Sequence, residues 1–264
     1  MQKTKANEEM YFISTKSFLA FLAFPARHAV FDFSPEIPAY YYVMIDLHTH
    51  TLLSDGVLLP AELVQRAITA GYKAIGITDH VDMSNIDFVV PRITEASEEL
   101  AAYSHITIIP GAEITHVPPP LIRKLVEKAR SLGARLVVVH GETVAEPVIR
   151  GTNRAAIESG ADIVSHPGLI SMEDAVLARE NGVMLEITSR KGHSLSNGHV
   201  AKIAMAAGAT IIINTDSHSP EDLISVDQAR TVLSAAGIPE ESIDTIFGNS
   251  RKFVDTTGRN ECRK

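Results

Sequence analysis

Seven apolar runs in this chain end on or next to histidine, aspartate or glutamate, and that recurrence narrows the fold more than any other feature. In order they are Met44-Ile-Asp46-Leu-His48-Thr-His50, Ile75-Gly-Ile-Thr-Asp79-His80, Ile108-Ile-Pro-Gly111-Ala-Glu113, Leu136-Val-Val-Val-His140, Ile163-Val-Ser-His166-Pro-Gly168, Leu185-Glu186-Ile and Ile211-Ile-Ile-Asn-Thr-Asp216-Ser-His218. Short apolar runs bounded by turn residues read as strands buried on both faces. Between them the spacing turns helical. Pro60 to Gly71 shows the change well, with proline at the start, apolar residues three and four apart, and glycine at the end. Strands joined through helices imply a parallel sheet covered by helices. An open sheet would gather its active residues near one switch point. Here nearly every strand brings a polar residue to its C-terminal end, and only a closed barrel collects such residues at one mouth.

The spacing predicts strands at Met44 onward, Ala74–Thr78, Ile106–Ile114, Arg135–Val139, Asp162–Ser165, Val183–Ile187 and Thr210–Asn214. Helices are expected at Pro60–Gly71, Pro91–Tyr103, Leu121–Leu132, Asn153–Ser159, Met172–Asn181, Gly198–Ala207, Pro220–Ala236 and Glu240–Phe247. This makes seven strand–helix units, an α/β (β/α)7 TIM-like barrel with its site at the C-terminal mouth.

A chain of 264 residues, 45% of them hydrophobic, can fill one large core. One barrel domain is expected over 44–258, with 1–43 as an N-terminal extension outside the fold and 259–264 as a short tail. The apolar run Phe18 to Phe24 is far below the ~18 residues of a membrane span. It could instead be a short secretory core with Ala26 or Ala29 near a cleavage site. Glu8 and Glu9 in the charged start argue against that reading. Cys262 is the one cysteine, so neither an intramolecular disulfide nor a thiolate-bound metal is expected, and a reducing, cytoplasmic compartment fits. The formal net charge of −8 weighs against non-specific nucleic-acid binding.

His48 and His50, two apart on a strand, point to the same side. Collected with the other strand-end groups they give His48, His50, Asp55, His80, Glu113, His140, His166, Asp216 and His218. Such a set exceeds the four or so ligands of one zinc. Two or three divalent ions are implied, with Glu113 and Asp216 as bridging carboxylates. Imidazole suits Zn, Mn or Fe. Three divalent ions among three carboxylates would leave roughly +3, so the natural guest is an anion. Clustered ions also bring the pKa of a bridging water to near ~7 and stabilise both oxygens of a phosphoryl transfer. Arg190 and Lys191, just past the sixth strand, are placed to grip a phosphate. Asp46 and Asp79, next to ligands but facing the other way, are candidates for holding imidazoles in place, with Asp79 equally readable as a structural turn residue. His116, His193 and His199 on mouth-side loops, and His105 after a helix, are expected to be exposed and stay outside the ligand set.

Taken in order, DLHTHTLLSDG, ITDH, PGAEI, the strand-ending His140, SHPG and NTDSH resemble the PHP family, the polymerase and histidinol phosphatase domains. The resemblance covers about Met44 to Val254. It implies a distorted barrel with a trinuclear metal centre that hydrolyses phosphate esters. His48 and His50 match the family's opening ligand pair, Asp55 the aspartate of its SDG, His80 its TDH histidine and Glu113 its bridging glutamate. His140, His166, Asp216 and His218 match the remaining ligands, and the segment around Arg190 is similar to the family's phosphate-binding stretch.

The expected function is therefore a stand-alone, metal-dependent phosphoesterase, in which a metal-bridging hydroxide hydrolyses a small phosphomonoester such as histidinol phosphate, a sugar phosphate or a nucleotide. The partner is a small phosphorylated substrate and no membrane. Nucleic acid is a secondary reading, and a homo-oligomer stays open. The alternative is a phosphodiesterase or 3′–5′ exonuclease, which 6% aromatic residues and no tryptophan disfavour. An amidohydrolase would want a bridging lysine where strand three delivers Glu113. A non-catalytic scaffold would tolerate loss of ligands, whereas here every ligand position is filled.

Overall fold

The computed structural model describes residues 43–258. The expected extension, except Val43, and the expected tail lie outside the described residues. The elements run β1 (Ile45–Thr49), α1 (Pro60–Thr69), β2 (Ala74–Ile77), β3 (His80–Val81), α2 (Ile86–Ala101), β4 (Thr107–Ile114), α3 (Pro119–Ser131), β5 (Leu136–His140), α4 (Thr152–Ser159), β6 (Ile163–Ser165), α5 (Met172–Asn181), β7 (Met184–Thr188), α6 (Asn197–Ala207), β8 (Ile211–Asn214), α7 (Val226–Ala235) and α8 (Glu240–Gly258). All strand pairings are parallel, in the order β1-β2-β4-β5-β6-β7-β8, with β3 paired to the upper part of β4. This is a distorted, nearly closed (β/α)7 TIM-like barrel. Among the described residues, no helix is long and apolar enough to cross a membrane.

Strand alternation divides the core into two. Val137 and Val139 join the large cluster between strands and helices, while Leu136 and Val138 join a smaller one with Ile45, Leu47, Ile109, Ile163, Met184 and Ile212 inside the barrel. Phe253 and Val254 of α8 pack on this inner cluster. That explains why α8 continues past the expected end at Phe247: its last turns cover apolar surface inside the barrel. Carried upward, the period of two brings Glu113 above Ile109, His140 above Val138, Glu186 above Met184 and Asn214 above Ile212. The inner face changes from apolar to polar near the C-terminal ends of the strands.

Several boundaries differ from expectation. α2 begins at Ile86 and carries Pro91 inside it, because Asn85 organises the preceding turn. Its Oδ1 accepts from Asp82 N at 2.9 Å and its Nδ2 donates to His80 O at 3.0 Å. The helix expected over Pro220–Ala236 is split into a 3₁₀ turn, Pro220–Asp222, and α7, which restarts on a capping box between Ser225 and Gln228. His80, expected in a loop, lies on the extra strand β3 in register with Glu113.

The two edge strands meet without a full ladder. Backbone pairing between β1 and the end of β8 is confined to a bridge between Thr49 and Ser217, beside a 2.8 Å bond from His50 N to Ser217 O. Buried side chains do the rest. Asn214 Oδ1 accepts from Leu47 N at 2.9 Å, and Asp46 accepts from Thr215 N at 3.2 Å and Thr215 Oγ1 at 2.6 Å. Asn214 Nδ2 also donates to Glu186 Oε1 at 2.8 Å. Removing a partner from a buried polar group costs more than the bond itself contributes. Asn214→Ala is expected to lower stability by about 2–4 kcal/mol, since it leaves a buried amide and a buried carboxylate each short of a partner, and urea unfolding checks this.

Candidate metal centre

At the polar end of the barrel, Glu113 is fully buried and five histidines surround it. Its Oε1 lies 3.2 Å from His48 Nε2, 3.5 Å from His140 Nδ1 and 3.8 Å from His166 Nε2. Its Oε2 lies 2.7 Å from His80 Nδ1 and 3.7 Å from His50 Nε2. Asp216 forms a second junction. Oδ1 is 3.1 Å from His50 Nε2, 3.4 Å from His218 Nδ1 and 3.7 Å from His48 Nε2, and Oδ2 is 3.6 Å from His166 Nε2. Asp55 Oδ1 lies 3.1 Å from His218 Nε2 and 3.5 Å from His80 Nε2. All nine side chains singled out from the sequence are thus brought together. Their donor atoms fall into overlapping sets of metal-site size: His50, Asp55, His80 and His218; His48, Glu113 and His166; His48, His50 and Asp216; His80, Glu113 and His140.

Glu113 and His140 reach this place by plain alternation, but three other groups need a local break. β1 advances three residues, from Asp46 to Thr49, while β2 advances two, from Ile75 to Ile77. Without that bulge His48 would sit opposite in sense to Leu47, which faces the barrel interior. Beyond β6 and β8, His166 and Asp216 adopt left-handed backbone, with φ of 29° and 55°. Each turn re-aims a side chain at a cost of about 1 kcal/mol or more. Gly168 follows at φ 61°, where a Cβ would lie 1.8 Å from Glu142 O, so the loops after β5 and β6 touch backbone to backbone.

Neither Asp46 nor Asp79 bonds an imidazole: the orienting role expected of Asp46 is not found, and Asp79 takes the structural turn role that was its alternative. Asp46 closes the β1–β8 seam. Asp79 accepts from Thr51 N and Oγ1, both at 2.8 Å, and from Ser54 Oγ at 2.7 Å, which folds the loop that carries Asp55. Both carboxylates are absorbed by backbone amides and hydroxyls, the nearest strong donors on their own side. The group that does hold an imidazole is Glu186, whose Oε1 lies 2.8 Å from His48 Nδ1.

The electrostatics divide the site between charged and neutral groups. Burial opposes the charge of Glu113, yet His48 and His80 beside it hold its carboxyl well below the usual range. Burial pushes Asp216 up to about 7. Burial, with neighbouring imidazoles, pushes His50 and His166 well down, which leaves their lone pairs free. Burial also disfavours charge on His140, but Glu113 and Glu146 outweigh it and raise this imidazole to about 9. Buried polar atoms without a hydrogen-bond partner gather here: His48 Nε2, both nitrogens of His50, His140 and His166, and Asp216 Oδ1. Buried polar groups are otherwise nearly always satisfied. Imidazole nitrogens and carboxylate oxygens at tetrahedral-site spacing fit divalent ions.

The mouth opens into a cleft of about 360 Å³ lined by Asp55, His80, His140, Asp216, His218 and Arg190, among others. Arg190 Nη1 lies 3.2 Å from Asp222 Oδ2, and the same oxygen accepts from His218 N at 2.9 Å. Of the expected pair of cations, Arg190 lines the cleft, while Lys191 is exposed beside it and is not among the lining residues. His193, expected to be exposed, is buried: its ring stacks on His166 at 4.2 Å and its Nδ1 lies 2.7 Å from Thr143 Oγ1. His116 stays exposed but reaches the cleft, 3.1 Å from Glu146 Oε2. Glu146 lies 3.2 Å from His140 Nε2, and that contact holds its carboxyl down at about 2. His199 donates to or accepts from no other imidazole here; it bonds Ile170 O at 2.9 Å and is partly buried. His105 is exposed, as expected. Glu186 ends an apolar run and could have been added to the site on that signal alone, whereas Glu146 sits on a loop and His193 opens a short 3₁₀ turn, His193–Ser196, neither with a readable pattern.

A family model described as the PHP domain matches residues 46–208. The chain is 49% identical over 201 residues to the uncharacterized protein MJ1295 of Methanocaldococcus jannaschii, covering 75% of this chain and 92% of that protein. It is 29% identical over 232 residues to a protein of Shewanella pealeana named "probable phosphatase", covering 76% and 87%. To the DNA polymerase/3'-5' exonuclease PolX of Bacillus subtilis it is 24% identical over 212 residues, covering 72% of this chain and 36% of that one. The family match spans the strands from β1 to β7 that deliver His48 through His166, and on that extent and the 49% relative the chain belongs to the PHP domain family.

Proposed function

We propose that His48, His50, Asp55, His80, Glu113, His140, His166, Asp216 and His218 hold two or three divalent ions, and that the centre hydrolyses a small phosphomonoester. The chain is then a phosphate-ester hydrolase of the PHP family. The observation that carries this reading is the crowd of unpartnered, buried imidazole nitrogens around Glu113, at the floor of a cleft that also contains Arg190. Ions bound there would supply hydroxide at neutral pH and offset the charge that builds on phosphoryl oxygens.

The chain's own groups do the positioning. Glu113 and Asp216 each face several imidazoles from separate strands, and so suit a bridging role between neighbouring ion sites. Arg190 is held by Asp222 through one terminal nitrogen and offers its remaining N–H groups to phosphate oxygens. Glu146 brings a carboxylate to the same cleft, which accepts hydrogen bonds from the alcohol portion of a substrate. A cleft of about 360 Å³ suits a small molecule.

The exonuclease reading is kept because the "probable phosphatase" and PolX relatives both align over most of this chain. It is disfavoured by the net charge of −8. Labelled single-stranded DNA separates the two: it should survive incubation with ion-loaded protein that releases phosphate from an aryl phosphate. Release from no member of a broad phosphate-ester panel, with Mn or Zn present, would remove the phosphatase reading.

Two further outcomes are expected. Mn or Zn added to chelator-treated protein at about 100 times its dissociation constant should stabilise the fold by about 2.7 kcal/mol, roughly 5–10 °C in a thermal scan. Glu113→Ala should lose most of that shift. Arg190→Ala should lower kcat/KM by about 10–100-fold, or about 1.4–2.7 kcal/mol, with ion binding unchanged.

A further inference from the structure

Glu186 is fully buried in mid-barrel, and three donors share its two oxygens. Oε1 takes His48 Nδ1 at 2.8 Å and Asn214 Nδ2 at 2.8 Å, and Oε2 takes His166 N at 3.0 Å. It touches both His48 and the segment carrying His166 from behind, on the side away from Glu113. His48 Nε2, on the opposite edge of the ring, is buried and without a hydrogen-bond partner, 3.2 Å from Glu113 Oε1.

We propose that Glu186 is a positioning residue of the centre: it holds the proton of His48 on Nδ1, so that the Nε2 lone pair faces inward, and it fixes the left-handed turn that aims His166. A carboxylate can only accept, so the ring nitrogen beside it must carry hydrogen. The other nitrogen is then the free base a cation needs. His166 depends on the same carboxylate in another way. Its φ of 29° is unfavourable for a side-chain-bearing residue, and its amide is tied to Glu186 Oε2. One buried acid thus sets a tautomer on β1 and a backbone turn after β6.

This inference rests on the metal reading above, and Glu186→Gln tests it. A carboxamide has one acceptor oxygen for three donors. If that oxygen serves His48 and Asn214, its NH2 opposes His166 N–H; turned around, its NH2 opposes the other two. Competition for Zn against a fluorescent chelator should show affinity about 10–100-fold weaker than wild type. Asp162→Ala is the control, because it removes the acceptor of Val137 N and Arg130 Nη2, both at 2.7 Å, and so loosens the barrel without touching Glu186 or any candidate ligand; its affinity should stay within about threefold of wild type. Long-range 15N–1H spectra of Zn-loaded wild type, with His48 assigned by comparison with His48→Asn, should show hydrogen on Nδ1.

Weakened binding confined to Glu186→Gln, together with that tautomer, supports the proposal. Wild-type affinity in Glu186→Gln, equal loss in both variants, or hydrogen on Nε2 of His48 overturns it. Should Glu186→Gln fail to fold, the wild-type spectrum decides alone. A wild-type protein that binds no divalent ion overturns the metal reading and this inference together, which is a different result from any of these.

Discussion

Burying the Glu113 carboxylate away from bulk solvent is the constraint on which the rest of this barrel depends. An isolated carboxylate in an apolar interior costs several kcal/mol even after relaxation, so it exists there only if positive or donating groups converge on it. Glu113 stands directly above Ile109, on the face of β4 that begins as hydrophobic core. Five imidazoles from four segments of the chain meet the requirement. The mouth is therefore a place where the fold has concentrated charge that it could not keep without a counter-charge.

The polar floor is also organised in layers. Innermost is the ring of imidazoles and carboxylates facing one another. Behind it stand groups with no view of the cleft: Glu186 under His48, Asn214 at the seam, and Asp79 within the loop that carries Asp55. Each is fully buried and hydrogen-bonded more than once. The outer side of the mouth is different, since Glu146 and Arg190 sit on loops and are partly exposed. Rigid parts hold the candidate ligands, and adaptable parts face whatever enters.

Much of this was legible in the sequence because alternation and strand-end placement are local properties. His48-Thr-His50, Glu113 after Ile109, and His140 after Val138 could all be read from spacing. What spacing could not supply was any place where the chain departs from its own period. The bulge in β1 and the left-handed turns at His166 and Asp216 depend on partners far along the chain. For the same reason Asp46 and Asp79 were candidates for holding imidazoles. Adjacency in sequence suggested it, but their donors come from Thr215, Thr51 and Ser54. His193 was read as exposed because nothing local shows that the loop after β5 reaches it through Thr143. Lys191 was paired with Arg190 by proximity alone, and consecutive residues in a turn point different ways.

The seam has a consequence for the behaviour of many copies together. Apart from the short β3, which pairs with β4 alone, the strands between β1 and β8 have neighbours laddered on both sides, whereas β1 and β8 each present one flank on which side chains substitute for a partner strand. An unladdered flank rich in isoleucine, such as Ile211-Ile-Ile, is the kind of surface on which a foreign strand can grow. Asp46 and Asn214 oppose that growth by occupying Thr215 N and Leu47 N from within, so that an incoming strand finds these two amides already taken. The same pair of residues that joins the sheet to itself thus keeps it from joining to anything else.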